Sequence, residues 1–82
     1  MIEVLLSKTY KKNNRLQADI TINNKKLVLF LAEKTRSFII GDGYAFDVIG
    51  IDIEWNTLTV RTFPEKRRIR LDLNNAINIQ GN

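Results

Sequence analysis

The chain has no cysteine and no histidine among its 82 residues. Without cysteine there is no disulfide framework and no thiol nucleophile, which fits a reducing cytosol. Without histidine the usual general base, the usual zinc ligand and the usual pH switch are gone together. A zinc site here would have to be all-carboxylate, an uncommon arrangement. There is one proline, at position 64. The longest unbroken apolar run covers residues 27–32, whereas a membrane span needs about 20 apolar residues. The opening MIEVLLSKTYKK carries Glu3 and no base ahead of its apolar residues, so it does not read as a signal peptide. No segment keeps an apolar period of 3.6 over three turns, and no repeat, low-complexity stretch or linker interrupts the chain. These absences lead to a cytoplasmic protein with no membrane association and no cofactor.

What is present is alternation. Ile2, Val4 and Leu6 alternate with Glu3 and Leu5, a first strand. Residues 7–15 are polar and read as a long hairpin loop, with Asn13-Asn14 suited to a turn at positive φ. Leu16, Ala18, Ile20 and Ile22 then alternate strictly with Gln17, Asp19, Thr21 and Asn23, a half-buried strand. Asn23-Asn24 is a tight-turn pair. Residues 26–31 are apolar on both faces, which predicts a central strand or one at a dimer seam. A helix over residues 25–35 is the alternative, disfavoured by Val28 and Phe30.

Glu33-Lys34-Thr35 reads as a polar connection, residues 38–40 as a short strand and Gly41-Asp42-Gly43 as a turn. Tyr44, Phe46 and Val48 share one face. Beyond Gly50 the phase flips, so that Ile49, Ile51, Ile53 and Trp55 share a face with Asp52 and Glu54 opposite. A period of two changes phase only through an extra residue or a sharp bend, and Gly50 is the place for it. Trp55 is expected in the core or at a barrel lip. Asn56-Thr57 and Phe63-Pro64-Glu65-Lys66 are turns. Leu58 and Val60 belong to one strand, Ile69, Leu71 and Leu73 to the next, and Ile77 and Ile79 to a last short one. The expected fold is all-β: a single domain over residues 1–82, a small β-barrel or sandwich of six to eight mostly antiparallel strands. A chain this short buries only about 60–65% of its unfolded surface, so a partner or a homodimer is expected to add stability.

Catalysis finds no support. Asp52 and Glu54 lie two apart, but they alternate with apolar residues as the wet side of any strand does. Asp42 and Asp47 add no calcium-loop spacing. Ser7 and Ser37 sit in no nucleophile motif, and the glycine turn at 41–43 is no phosphate loop. The protein is therefore read as a non-enzyme.

Charge is the remaining signal. The net charge is +4, unevenly placed. Lys8, Lys11, Lys12 and Arg15 form a basic block around Tyr10. Asp42, Asp47, Asp52 and Glu54 form an acidic middle. Arg61, Lys66, Arg67, Arg68 and Arg70 form a second basic block, relieved only by Glu65. Such asymmetry points to a polyanion, nucleic acid above all. On a strand Arg68 and Arg70 project together about 7 Å apart, near the spacing of phosphates, and Tyr10 among cations suits base stacking. The expected binding residues are thus Lys8, Tyr10, Lys11, Lys12, Arg15, Arg61, Lys66, Arg67, Arg68 and Arg70, with RNA slightly favoured over DNA. Alternatively Arg68 and Arg70 pair with acids of the middle, and the protein binds an acidic or other protein surface. A phage or mobile-element accessory protein that occludes a partner is one form of this, suited to an Asn-, Ile- and Lys-rich composition like that of low-GC bacteria and their phages.

The stretch SFIIGDGYAFDVIG, residues 37–50, resembles the carbon storage regulator family of RNA-binding proteins. It shares with them a serine, a strand ending Ile-Gly-Asp, an alternating strand and a glycine, in that order without gaps. Leu31, Lys34, Val60-Arg61 and Pro64 fall near family-like positions. The resemblance implies an intertwined β dimer that binds GGA-containing messenger RNA at strand edges. The family's RNA-contacting arginine would fall at Leu71 or, with a shift, Arg70. Nearly thirty residues precede the likeness, and residues 74–82 read as turn and strand where the family has a helix. A looser likeness, carried by Asp52, Asn56 and Leu58, is to Sm-type small barrels.

Overall fold

Two asparagine pairs shape the first half of the chain. Asn13 and Asn14 stand at φ 52° and 62°, Asn23 and Asn24 at 49° and 69°. Two consecutive residues at positive φ are what a two-residue hairpin turn requires, and asparagine adopts that conformation at low cost. Strands β1 (Ile2–Lys12), β2 (Arg15–Ile22) and β3 (Lys25–Phe30) therefore follow one another as a tight antiparallel meander. The computed structural model describes residues 2–31, 37–41, 44–63 and 65–79.

The polar residues 7–15 are not a loop. β1 runs through them to Lys12, and only Asn13 and Asn14 turn. The run 26–31 is a strand through Phe30, as preferred, but not a central one: β3 lies at the edge of its sheet. Its apolar character on both faces leaves Leu27, Val28 and Phe30 exposed.

The second half repeats the plan. Strands β4 (Ser37–Gly41), β5 (Tyr44–Asp52), β6 (Thr57–Phe63) and β7 (Arg67–Asp72) form a second antiparallel meander. The register of β5 on β6 shifts between Val48 and Gly50, which is the phase change expected at that glycine. The strand ends at Asp52, and residues 53–56 are turn. Trp55 is accordingly not in the core; it is 77% exposed. The connection at 33–35 and residues 42, 43 and 64 of the expected turns lie outside the described residues. Lys66 follows at φ 58° and carries the β6–β7 turn.

The last strand, β8 (Ile77–Ile79), leaves the second sheet and pairs with Ile2, Glu3 and Val4 of β1. The sheets are thus ordered β3-β2-β1-β8 (sheet A) and β4-β5-β6-β7 (sheet B). Both are open at their edges, so the all-β fold is a sandwich rather than a closed barrel. Between them lie Val4, Leu6, Ala18, Ile20 and Leu29 from sheet A, and Phe46, Val48, Leu58, Val60 and Leu71 from sheet B. Burying each of the larger side chains contributes about 1.5–3 kcal/mol. Two threonines enter this layer with their hydroxyls bonded. Thr62 donates to the Arg67 carbonyl at 3.3 Å, and Thr9 donates to Asn56 Oδ1 at 2.8 Å, tying β1 to the β5–β6 turn.

Candidate nucleic-acid interface

A bulge in β1 decides what its outer half presents. The register on β2 shifts between Leu6 and Lys8, with Ser7 as the extra residue and its hydroxyl on the Asp19 carbonyl at 3.1 Å. Before the bulge, even-numbered residues face the core; after it, Thr9 does. Lys8, Tyr10 and Lys12 are thereby moved to the outer face of sheet A. Directly opposite residues of neighbouring strands share a face, so register gives that surface row by row. Lys12 lies opposite Arg15. Tyr10 lies opposite Gln17, which lies opposite Phe30. Lys8 lies opposite Asp19, which lies opposite Val28. Thr21 lies between Leu5 and Lys26.

Tyr10 and Phe30 therefore stand in one row, two strand spacings or about 10 Å apart. A cation attends each ring. Lys8 Nζ lies 5.1 Å from the Tyr10 ring centre, and the Arg15 guanidinium carbon 6.0 Å from that of Phe30. The Tyr10 hydroxyl donates to Asp19 Oδ1 at 2.8 Å. This bond, with smaller contributions from desolvation and from the charge of Asp19, raises the phenol above its ordinary 10.0. At the tip, Lys11, Lys12 and Arg15 are exposed around the Asn13-Asn14 turn. Asp19 is the one acid between positions 4 and 32, so the surface is strongly cationic.

Of the ten expected binding residues, Lys8, Tyr10, Lys11, Lys12 and Arg15 thus share one hairpin. The other five are on sheet B. Lys66 and Arg67 sit at the β6–β7 turn, at the end of β6 away from Asn56 and so away from Thr9. The length of β6 between, seven residues, is about 20 Å. Arg61 lies opposite Arg68 on one side and Asp47 on the other. Arg70 is committed to Asp72 of its own strand, Nε to Oδ1 at 3.4 Å. An ion pair this exposed is worth about 0–1 kcal/mol, but it offsets the charge of Arg70. Asp52, Trp55, Thr57, Arg70 and Asp72 line a shallow depression of about 350 Å³, whose two carboxylates repel phosphate. The two basic blocks do not form one surface.

Phe30, Gln17 and Lys26 belong to the sheet A surface and were not among the expected residues. The signal for Phe30 was its place in a strand apolar on both faces: one face had to be outside. The acidic pair separates into two roles. Asp52 closes β5 and accepts from the backbone N–H groups of Glu54 and Trp55 at 2.9 and 3.1 Å, while Glu54 is in the turn. Among the described residues no three His, Cys, Asp or Glu side chains are grouped to hold a metal ion, and no helix is long and apolar enough to cross a membrane. Compared with known proteins, the chain matches no family model, no curated protein and no solved structure.

Proposed function

We propose that the protein is a small cytoplasmic binding module for single-stranded nucleic acid, RNA before DNA, and that it binds on the outer face of sheet A. The observation that carries this reading is the row Tyr10–Gln17–Phe30 with a cation over each ring. Aromatic side chains on an open sheet stack splayed bases, and cations beside them hold the backbone. Gln17, between the rings, has both a donor and an acceptor for a base edge. Lys8, Lys12 and Arg15 supply phosphate contacts on that face, and Lys11, exposed at the hairpin tip, adds charge beside it. Arg61, Lys66, Arg67, Arg68 and Arg70 act at most as a separate, weaker cationic surface.

The test is binding of fluorescent single-stranded RNA and DNA oligonucleotides across a salt series. Three or four neutralised phosphates give a log–log slope of roughly −2 to −3, at about −0.7 for each. Absence of binding at low salt, or binding insensitive to salt, overturns the proposal. The second reading, a protein-interaction module of the accessory type, rests on the exposed apolar residues of β3. It calls for complexes that survive high salt and nuclease.

A further inference from the structure

We infer that β3 is the seam of a homodimer, in which the β3 strands of two copies pair edge to edge and join their A sheets into one sheet of eight strands.

One hydrogen bond fixes which way the peptide groups of β3 point. The Leu31 N–H donates to the Leu16 carbonyl at 3.1 Å. In an antiparallel strand the N–H and C=O of a residue point to the same side, and successive residues alternate. Leu27 and Leu29 therefore turn their peptide groups toward β2, and Lys26, Val28 and Phe30 turn theirs outward. Among the described residues β3 pairs only with β2, so three donors and three acceptors face outward in a row. Around them the side chains are apolar: Leu27, Val28 and Phe30 are 37%, 45% and 37% exposed. Proteins blunt such edges with charge, proline, a bulge or brevity. β7 carries Arg67, Arg68 and Arg70, and β8 is three residues long. β3 has neither proline nor bulge, and its charges are confined to Lys25 and Lys26 at one end.

That one-ended charge selects a second copy as the occupant. Two identical edges meet about a two-fold axis normal to the sheet, which makes the strands antiparallel. With the axis at Val28, all six outward peptide groups find partners. Val28 pairs with Val28 of the second copy, and Lys26 with its Phe30. On the inner face Leu27 meets Leu29. Each lysine end thus falls against an apolar or aromatic end, with Lys26 beside a ring it can lie against. Sliding the copies two residues toward the turns sets Phe30 against Asn24, and sliding them further sets Lys26 against Lys26. The same axis leaves both Tyr10–Gln17–Phe30 rows on one side of the joined sheet. The seam itself does not depend on what that side binds.

Sedimentation velocity on the full chain, without nucleic acid, tests the inference. The wild type sediments as a dimer. V28K and V28E each set like charges face to face across the axis and lose the dimer, and mixing the two restores it as a heterodimer. Amide exchange gives a second reading that needs no variant: the Lys26, Val28 and Phe30 amides are protected at high concentration and exchange freely on dilution. A wild type that stays monomeric at high concentration overturns the inference. So does a dimer indifferent to V28K, or exchange at these three amides that does not change with concentration.

Discussion

The Tyr10 hydroxyl reaches one row along the sheet to Asp19 Oδ1, 2.8 Å away, although Tyr10 itself lies opposite Gln17. The proton is held more tightly in the fold than in the unfolded chain, because the carboxylate accepts it. A group with a raised folded value adds stability that is fully present below its unfolded value, here about 10. That contribution is lost as pH rises through the folded value. In ultraviolet difference titration Tyr10 should ionise above 10.0, and Asp19→Ala should bring it down. The Y10F protein identifies which of the two tyrosines moves. An unchanged titration in D19A means the bond does not form in solution.

Removing either ring tests the aromatic row. Tyr10→Ala and Phe30→Ala should each weaken single-strand binding by about 1–3 kcal/mol if one base stacks on each. The two sites are two strands apart, so the double variant should be close to additive. The triple variant Lys66→Ala, Arg67→Ala, Arg68→Ala should leave affinity and salt slope unchanged. Oligonucleotide titrations of the four variants decide which sheet binds.

Trp55 serves as its own reporter. As the single tryptophan of the chain, exposed at a turn, it should emit as indole does in water and be readily quenched by acrylamide. Trp55→Ala should change stability by no more than about 0.5 kcal/mol. Asp52→Ala removes the acceptor that closes the same turn and should cost about 1 kcal/mol. Urea unfolding of both variants checks this order.

Leu6 is fully buried, and its carbonyl accepts the N–H of Asn74, which brings the chain from β7 back to sheet A. Leu6→Ala should cost about 2–5 kcal/mol, a large part of the 5–15 kcal/mol typical of a domain. By contrast Asn14→Gly and Asn24→Gly should fold at least as well as the wild type. A β-branched residue such as valine at either position should lose roughly 1–2 kcal/mol. Thermal unfolding distinguishes the two classes.

The sequence was a good guide wherever one face of a strand is wet and the other dry. Leu16, Ala18, Ile20 and Ile22, or Leu58 and Val60, show their burial in their alternation, and the asparagine pairs announce their turns. Three of the places where it misled each have a physical reason. Past Leu6 the inward positions of β1 hold Thr9 and Lys11, because the hairpin outruns the core, so no apolar rhythm marks the strand. The bulge at Ser7 has no glycine to betray it, unlike the one beside Gly50. Residues 26–31 read as apolar on both faces, as in a central strand or one at a dimer seam, but β3 is the edge of its sheet and its second apolar face is exposed. The cationic residues of the hairpin were legible. Their companionship with Phe30 was not, since it depends on a register between β2 and β3 that local composition does not encode. Nor does the chain show that sheet A takes one basic block and sheet B the other.

Among the described strands, every pairing but one joins neighbours along the chain. The exception is β1 with β8, where Ile2 meets Ile79. Hairpins close quickly because their loops are short, while a contact between distant segments must await the ordering of what lies between. The two meanders are therefore expected to form early in folding, and the docking of the three residues of β8 late. The flank of β1 is covered by a strand of three residues, held by its pairing with Ile2, Glu3 and Val4 and by the packing of Ile77, and it is expected to be the first to leave under heat or denaturant. Partial unfolding at that corner exposes a second adhesive edge while both sheets are still standing. If β8 detaches first, aggregation on heating should begin before the core unfolds, and light scattering recorded beside near-ultraviolet circular dichroism checks the order.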